Sequence, residues 1–242
     1  MKVLNDLLWD GDLKIYQNSD GFKFSLDSVL LSNFVTINKS AKNILDIGTG
    51  NAPIPLMLTK RTNANILGIE IQKESYLLAK ESIEFNKLEN QIEVVLADIN
   101  KIYTDLNNNF YDTIICNPPY FKVNMNISNN DNKRIARSDE FLKIEDLFRI
   151  SKKLLKTGGN IAIVIDSSRL FEVMNLMKSN SIEPKRLQFI YPKANMNSNI
   201  LLIEGTKNGK SGVKILNPIV IQDEKNHYTE FIENLLKNFG KY

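Results

Sequence analysis

The sequence predicts an α/β fold, in which a mostly parallel sheet carries helices on both faces. From residue 43 onward, short runs rich in Val, Ile and Leu alternate with amphipathic segments. Such alternation is typical of parallel strands joined by crossover helices. The predicted strands are residues 43–47, 65–71, 92–96, 113–116, 160–165, 186–191 and 200–203. The predicted helices are residues 53–61, 73–86, 144–155 and 168–179.

Each predicted element has its own signal. The strands are short apolar runs bounded by turn-forming residues. The clearest helix is 73–86, where the apolar residues Leu77, Leu78, Ile83 and Phe85 recur at helical spacing. Lys80 belongs to its wetter side. Residues 157–159, Thr-Gly-Gly, are predicted to end the third helix and to open the next strand.

Two segments fall outside this pattern. Residues 1–42 precede the first predicted strand and contain a turn at 20–21, followed by alternating Phe22 and Phe24. Residues 121–140 form a long polar stretch rich in Asn and Ser. A loop of that length inside a compact domain is usually functional or disordered.

Composition excludes several kinds of site. A single cysteine, Cys116, excludes an intramolecular disulfide and a cysteine-cluster metal site, and a single histidine, His227, excludes a histidine-rich one. We expect Cys116 in the core and His227 on the surface. No apolar stretch approaches the roughly 20 residues that span a bilayer, and the first residues lack a signal-peptide run. These features fit a cytoplasmic protein with no metal and no membrane partner.

Charge is distributed unevenly along the chain. By count, residues 1–121 hold 11 Lys+Arg against 15 Asp+Glu, a charge of −4. Residues 122–242 hold 20 against 13, a charge of +7. This asymmetry favours a phosphate-facing surface in the second half, although a merely Lys-rich surface would give the same count.

A glycine turn follows the first predicted strand. Asp46 lies in that strand, Gly48 and Gly50 form the turn, and Pro53 opens a helix. Glycines are needed where backbone must approach a ligand closely with positive φ. Glu70 ends the second strand, twenty residues after Gly50. A carboxylate at that point can accept hydrogen bonds from both ribose hydroxyls of an adenosine.

The third strand supplies a further acid at the same edge. It ends at Asp98, whose carboxylate can accept a hydrogen bond from an adenine amino group, and Ile71 and Ile99 are placed to sandwich the ring. Three such strand ends in succession predict an adenosine site. A nicotinamide cofactor would satisfy much of this pattern, but Pro53 replaces the third glycine of a dinucleotide fingerprint, which favours S-adenosylmethionine.

The most specific signal follows the fourth strand, where the chain reads Asn117-Pro118-Pro119-Tyr120. The exocyclic amine of adenine is a poor nucleophile because its lone pair is delocalised into the ring. The side-chain oxygen of Asn117 and the backbone carbonyl of Pro118 can accept its two N–H bonds and draw the nitrogen towards tetrahedral geometry. Tyr120 can stack on the base. The motif therefore predicts methylation of a planar amine.

With this motif, the chain resembles class I methyltransferases that carry Asn-Pro-Pro-Tyr, and among them the bacterial tRNA1(Val) (adenosine-37) N6-methyltransferases. The narrower resemblance rests on stretches spread over nearly the whole chain. They are residues 20–27, 136–137, 183–186, 191–193 and 203–205, with the tail around Pro218 and 228–229. The resemblance implies a Rossmann-like sheet of seven strands, the last of them antiparallel.

The resemblance also implies a pocket for S-adenosylmethionine, with S-adenosylhomocysteine as product. Family members usually carry Asn-Gly after the second glycine, whereas this chain has Asn51-Ala52. We expect residues 43–242 to form the methyltransferase domain and 1–42 to be an extension capping the cofactor and substrate site. The expected cofactor residues are Phe24, Asp46, Gly48, Gly50, Asn51, Glu70, Ile71, Asp98, Ile99 and Asn117.

Basic residues after the motif gain a role if tRNA is the substrate. Phosphate contacts of this kind fix position rather than sequence. The expected product is N6-methyladenosine, with adenosine 37 of a valine tRNA as target, and we expect a monomer. The candidate RNA contacts are Lys122, Lys133, Arg134, Arg137, Lys185, Arg186 and Lys193.

Other functions remain compatible with parts of the pattern. The same motif occurs in DNA adenine methyltransferases and in enzymes that methylate a glutamine amide of release factors. The first usually carry a target-recognition domain and the second an N-terminal helical domain, for which 242 residues leave little room. A non-catalytic adenosine-binding RNA protein would be expected to have lost Asn117 or Tyr120. A nicotinamide oxidoreductase would need an acid or base at the fourth strand end.

Overall fold

The computed structural model of the protein describes residues 1–18, 25–118 and 142–241. Two strands and a helix precede the first predicted strand. Their bounds are Lys2–Asp6 (β1), Lys14–Asn18 (β2) and Leu26–Phe34 (α1).

From residue 43 onward strands and helices alternate, as the sequence predicted. The first half comprises Asn43–Ile47 (β3), Pro53–Leu58 (α2), Asn65–Glu70 (β4), Lys73–Phe85 (α3), Ile92–Leu96 (β5), Ile99–Ile102 (α4) and Tyr111–Cys116 (β6). The second half comprises Ile144–Leu154 (α5), Leu155–Asp166 (β7), Leu170–Ser179 (α6), Ile182–Lys193 (β8), Ile200–Lys207 (β9), Lys214–Ile215 (β10), Ile219–Gln222 (β11) and Glu230–Asn238 (α7).

The central sheet has the order β10-β8-β9-β7-β6-β3-β4-β5, and β11 also pairs with β8. Strand β9 runs antiparallel to both β7 and β8, and the other pairings within this sheet are parallel. The class I methyltransferase fold expected from the sequence is thus confirmed. The expected seven strands are β3–β9. Within the described residues the sheet has two further strands, β10 and β11. They are two and four residues long, which is too short for an alternation of apolar and polar residues to be recognised in the sequence.

Alternate residues of the strands face two separate cores. In β6, Ile114 belongs to the core under α4, α5 and α6, and Ile115 to the core under α1, α2, α3 and α7. In β7, Ile163 and Val164 divide in the same way. This two-residue period places helices on both faces of the sheet, because successive side chains of a strand point to opposite sides.

The Thr-Gly-Gly prediction at 157–159 was wrong in its boundary. The helix ends at Leu154 and β7 already begins at Leu155, so these residues lie inside the strand. The register with β6 shifts between Tyr111 and Thr113, and Gly158 has φ +81°. Gly158 is therefore a left-handed residue at an irregularity within the strand, not part of a turn before it.

The predicted helix 73–86 is present, and its buried side agrees in part with the predicted apolar side, which included Ile83. The buried residues of α3 are Ala79, Ser82 and Ile83, whereas Phe85 is half exposed. The hairpin β1–β2 covers this side, and the backbone N–H of Tyr16 donates to Ser82 Oγ at 2.9 Å. A small residue at the contact lets the hairpin approach the helix closely.

The first 42 residues share a core with the rest of the chain. Leu7, Leu8 and Ile15 are buried in the same cluster as Ile44 and Leu56. Across residues 1–18, 25–118 and 142–241, no helix combines the length and the apolar character needed to cross a membrane.

Candidate active site

Polar side chains gather at the carboxyl edge of the parallel strands. Strands β3, β4, β5 and β6 pair in parallel, so their carboxyl ends meet at one edge. Glu70 ends β4, Asp98 follows β5 and Asn117 follows β6. Asp46 lies one residue before the end of β3. These four side chains therefore lie along the same edge of the sheet.

The turn after β3 leaves open space beside its backbone. Gly48 has φ +73° and Gly50 has φ +61°, and Ala52 follows in the same left-handed region at +67°. A Cβ built on either glycine would meet no atom of the described structure within 4 Å. The N–H groups of Gly48 and Thr49 donate to Ile69 O at 2.9 and 3.0 Å, which ties the turn to β4. This is a fixed turn with room for a ligand against its backbone.

Asp46 is a buried acid with one free oxygen. Its Oδ2 accepts a hydrogen bond from Thr49 Oγ1 at 2.7 Å. Its Oδ1 is buried and has no hydrogen-bond partner among the described residues. Burial raises the pKa of Asp46 to about 7; the bond from Thr49 opposes this shift and the charge of Glu70 adds to it. A buried carboxylate oxygen without a partner is costly, so a ligand that supplies a donor or a positive charge would be favoured here.

Glu70 is held by backbone donors from both sides. Its Oε2 accepts from the N–H of Gly50 and its Oε1 from the N–H of Gln72, each at 2.8 Å. Burial raises the pKa of Glu70, and these backbone bonds counteract it. An ionised carboxylate has about four acceptor positions, so each oxygen can still accept from a hydroxyl group.

Asp98 begins the short helix α4 and is more exposed than the two acids beside it. Its side chain accepts from the N–H of Asn100 at 3.0 Å, an N-cap interaction. Ile71 directly follows β4 and is partly exposed, whereas Ile99 is the first residue of α4, after β5, and is buried. The expected role of these residues around an adenine ring remains a prediction.

Asn117 is joined to the N-terminal part of the chain. Its Nδ2 donates to Ser28 Oγ at 2.9 Å, and Ser28 lies on α1 with a buried side chain. Asn51 makes a second such link, because its Nδ2 donates to Tyr16 O at 2.8 Å. Sequence reasoning missed both contacts. Ser28 directly follows the 20–27 stretch that carried the family resemblance, but nothing in that stretch indicates which strand end α1 approaches.

The candidate RNA contacts on β8 differ in their surroundings. The guanidinium of Arg186 donates to Phe34 O at 3.0 Å and to the buried Glu204 at 3.1 Å. Arg186 therefore helps to hold the end of α1, and its expected contact with RNA remains a prediction. Lys185 and Lys193 are more available, since each ammonium donates to a backbone carbonyl, that of Lys210 and that of Glu224.

Several predicted site residues lie outside the described residues, together with the turn at 20–21 and the polar stretch 121–140. These site residues are Phe24, Tyr120, Lys122, Lys133, Arg134 and Arg137.

Comparison with known proteins decides the family. Residues 25–180 match the methyltransferase small domain. The chain belongs to this methyltransferase family. The tRNA1(Val) (adenine(37)-N6)-methyltransferase of Parabacteroides distasonis is 30% identical over 230 residues, 93% of each chain. The protein of the same name from Bacteroides fragilis is 31% identical over 180 residues, 74% of this chain and 75% of that one.

Solved structures agree with the fold of this methyltransferase. The crystal structure of a predicted O-methyltransferase from Agrobacterium tumefaciens superposes with a TM-score of 0.70 at 20% identity. The match covers 88% of this chain and 96% of that chain. The family and the fold expected from the sequence are both confirmed. The prediction that Cys116 is a core residue is confirmed as well, since it is buried and burial raises the pKa of its thiol.

Proposed function

We propose that this methyltransferase transfers a methyl group from S-adenosylmethionine to the N6 amine of an adenosine in tRNA. The target we propose is adenosine 37 of a valine tRNA, the position named for the relatives in Parabacteroides and Bacteroides. The observation that carries the proposal is Asn117, which opens an Asn-Pro-Pro-Tyr motif beside the glycine turn. Strand β6 pairs directly with β3, so Asn117, next after β6, and the glycine turn after β3 lie at neighbouring strand ends.

The residues around the glycine turn fit the cofactor. The open space at Gly48 and Gly50 accepts a ligand against the backbone, and Glu70 offers acceptors for its two ribose hydroxyls. Asp46 offers its unpartnered oxygen to the positively charged part of the cofactor. When bound, S-adenosylmethionine supplies an electrophilic methyl group on a sulfonium sulfur.

The chemistry of this chain lies in holding the amine. Asn117 Oδ1 and the carbonyl of Pro118 accept the two N–H bonds, and the nitrogen lone pair is thereby turned towards the methyl donor. The nitrogen bonds to the methyl carbon as the carbon–sulfur bond breaks, which leaves S-adenosylhomocysteine, and the nitrogen then loses one N–H proton to water. Acceptors fixed before the reaction stabilise the developing tetrahedral nitrogen without rearranging. We assign Tyr120 to stacking on the base.

The tRNA is proposed to lie over the carboxyl edge and the basic second half. Lys122, Lys133, Arg134 and Arg137 follow Asn117 within twenty residues of sequence. Lys193 ends β8, which runs parallel to β6, so it belongs to the same edge. Residues 1–42 are proposed to cover the site, because Ser28 and Tyr16 contact Asn117 and Asn51.

The test is methylation with methyl-labelled S-adenosylmethionine. Substrates are a valine tRNA transcript, the same transcript with guanosine at position 37, double-stranded DNA and a release factor. We expect label only in the first, recovered as N6-methyladenosine by nucleoside mass spectrometry. Label in DNA or in a protein glutamine would replace the proposed substrate with that one. Label in the guanosine variant would show that the methylated nucleotide is not the one at position 37.

A further inference from the structure

The hydrogen bond between Asn117 and Ser28 joins two parts of the chain that are 89 residues apart in sequence. Asn117 Nδ2 donates to Ser28 Oγ at 2.9 Å, and the side chain of Ser28 is only 2% exposed. Ser28 lies in the first turn of α1, a helix outside the sheet that carries the motif. Its hydroxyl is thus a buried contact to the side chain proposed to hold the substrate amine.

Helix α1 is itself fixed in place, so Ser28 has a defined position. Val29, Leu30 and Leu31 are buried in the core on that face of the sheet. The carbonyls at the end of the helix are satisfied by two arginines. Arg61 donates to Ser32 O and Val35 O, and Arg186 donates to Phe34 O. Cations at a helix C-terminus stabilise the last carbonyls and the helix dipole.

The segment that follows α1 is held by a buried acid. Glu204 on β9 accepts from the N–H of Thr36 at 2.6 Å and from its hydroxyl at 2.8 Å. Asn160 on β7 donates to the same carboxylate and to Thr36 O, each at 3.0 Å. These bonds tie the end of α1 to β7, which pairs with β6, and to β9, so the helix cannot shift without breaking several of them.

The orientation of the Asn117 carboxamide matters because its two ends have opposite hydrogen-bonding character. An amine presents N–H donors, so it needs the oxygen of Asn117 and not its NH2 group. In the flipped orientation the NH2 would face those donors. With one of its N–H bonds given to Ser28, the carboxamide presents Oδ1 to the opposite side.

We propose that Ser28 is a positioning residue for methyl transfer, which holds Asn117 with its oxygen towards the substrate amine. This inference rests on the proposed role of Asn117 in that transfer. Ser28 does not touch the substrate; it acts through Asn117. Its loss lets the carboxamide rotate, which slows the reaction without removing any group from the cofactor pocket.

The experiment compares Ser28→Ala with Ser32→Ala. Ser32 is one turn further along α1, is fully buried, and its hydroxyl has no hydrogen-bond partner within the described part of the chain. We expect Ser28→Ala to lower the single-turnover rate at saturating cofactor and tRNA roughly three- to tenfold, the effect of one neutral hydrogen bond. Ser32→Ala should keep the wild-type rate. Both variants should bind S-adenosylmethionine with wild-type affinity.

A double-mutant cycle separates positioning from general damage. In an Asn117→Ala background, Ser28→Ala should cause no further loss of rate, because the side chain it positions is absent. An equal loss in both backgrounds would overturn the proposal, and so would a Ser28→Ala rate equal to that of Ser32→Ala.

A second readout needs no substrate. The side-chain NH2 signals of Asn117, assigned by their absence from the Asn117→Ala spectrum, are followed by ¹⁵N NMR. They should move in Ser28→Ala and stay in Ser32→Ala; unmoved signals in Ser28→Ala would refute the contact. If the wild-type protein methylates DNA or protein and not tRNA, the proposed function fails. The same rate comparison on that substrate then still decides the role of Ser28.

Discussion

The carboxyl edge of the sheet has two halves that are built differently. In the cofactor half, at the ends of β3 and β4, Asp46 and Glu70 are buried and bonded to groups within a few residues of two adjacent turns. In the substrate half, Asn117 is bonded to a helix 89 residues away, and Lys193 is a cation at the end of an outer strand.

In the cofactor half the functional groups are positioned by local turns, whereas in the substrate half they are positioned by the packing of segments distant in sequence. A glycine turn with positive φ places its backbone N–H groups regardless of what lies beyond it. The Asn117 carboxamide, which is proposed to hold the amine, is instead bonded to α1, and α1 is held by Arg61, Arg186 and Glu204. We therefore expect changes in the cofactor half to alter binding of the donor, and changes in the substrate half to alter turnover and RNA binding.

The largest effect is expected at Asn117. Replacement by Ala removes the side-chain acceptor for the amine, and replacement by Asp keeps an oxygen but adds a negative charge and removes the NH2 donor to Ser28. Each should lower turnover at least about a hundredfold, the scale for losing one preorganised polar contact. The loss should appear in kcat as well as kcat/KM. Single-turnover methylation of tRNA measures it.

Cofactor affinity is the control for that experiment. Calorimetry should give the Asn117 variants nearly the wild-type affinity for S-adenosylmethionine. A folded Asn117→Ala protein that keeps most of its rate would show the motif to be structural, and the adenine-amine assignment would have to be abandoned.

Glu70 should produce the next largest effect, on binding rather than turnover. Glu70→Ala removes the proposed ribose acceptors and also frees the N–H groups of Gly50 and Gln72. Cofactor binding should weaken by about 1.5–3 kcal/mol, the range for hydrogen bonds to a charged group. Glu74→Ala on the exposed start of α3 is a matched control. Unchanged calorimetric affinity in a folded Glu70→Ala protein would remove this residue from the pocket.

The sequence predicted the cofactor half more fully than the substrate half, for a physical reason. Asp46, Gly48, Gly50 and Glu70 each lie at a strand end, and the ends of parallel strands must meet. Their convergence follows from the alternation of strands and helices alone. The strand bounds predicted for β3 and β5 also agree with the structure.

The substrate half depends on pairings that no periodicity reveals. Arg186 was expected on the RNA surface because it is a cation in the basic half of the chain. Its partner Glu204 faces it only through the register of β8 with β9, where a bulge intervenes after Pro184. Ser28 was missed because a serine on a helix gives no sign of the strand end it approaches.

The stability of the protein should also depend on pH through the cofactor half, and Asp46 tests this. Its pKa is raised to about 7 by burial. Below the unfolded value of about 4 the carboxyl is protonated in both states; between about 4 and 7 the unfolded chain ionises first, which destabilises the native state. Asp46→Asn should therefore stabilise the ligand-free protein above pH 7 by an amount on the order of a few kcal/mol, and by little near pH 4. The same variant should bind S-adenosylmethionine more weakly.

Asp112 provides a control of opposite sign. Burial alone would raise its pKa, but Lys156 and the backbone N–H groups of Lys42 and Asn43 together lower it. Asp112→Asn should thus destabilise the protein at neutral pH, with the difference shrinking as pH falls below about 4. Urea unfolding at pH 4, 6 and 8 measures both variants. If Asp46→Asn and Asp112→Asn changed stability in the same direction at pH 8, the burial argument for Asp46 would be wrong.

A smaller effect is expected from the basic residues that follow the motif. Replacing Lys133, Arg134 and Arg137 together by Ala should weaken tRNA binding and flatten its salt dependence. The log–log slope should fall by roughly one unit or slightly less for each lost phosphate contact. Affinity for the methyl donor should not change. A salt slope equal to that of the wild-type protein would mean that these charges face bulk water.

The smallest effect is expected from a single lysine on β8, and it tests whether tRNA follows the carboxyl edge. Leu187 lies level with Cys116 across β9 and β7. Lys193 lies six residues further towards the carboxyl edge, and Lys185 two residues towards the opposite edge. Each ammonium group donates to a backbone carbonyl of its own, Lys193 at 3.2 Å and Lys185 at 2.9 Å. The two lysines therefore form a matched pair. Lys193→Ala should lower the salt slope of tRNA binding by about one unit, while Lys185→Ala should lower it less. The binding titrations are run between 50 and 200 mM salt, about the range over which counterion release is usually resolved. A larger change from Lys185 than from Lys193 would place the RNA across the outer strands instead of along the carboxyl edge, away from the side of the sheet where Asn117 is proposed to hold the amine.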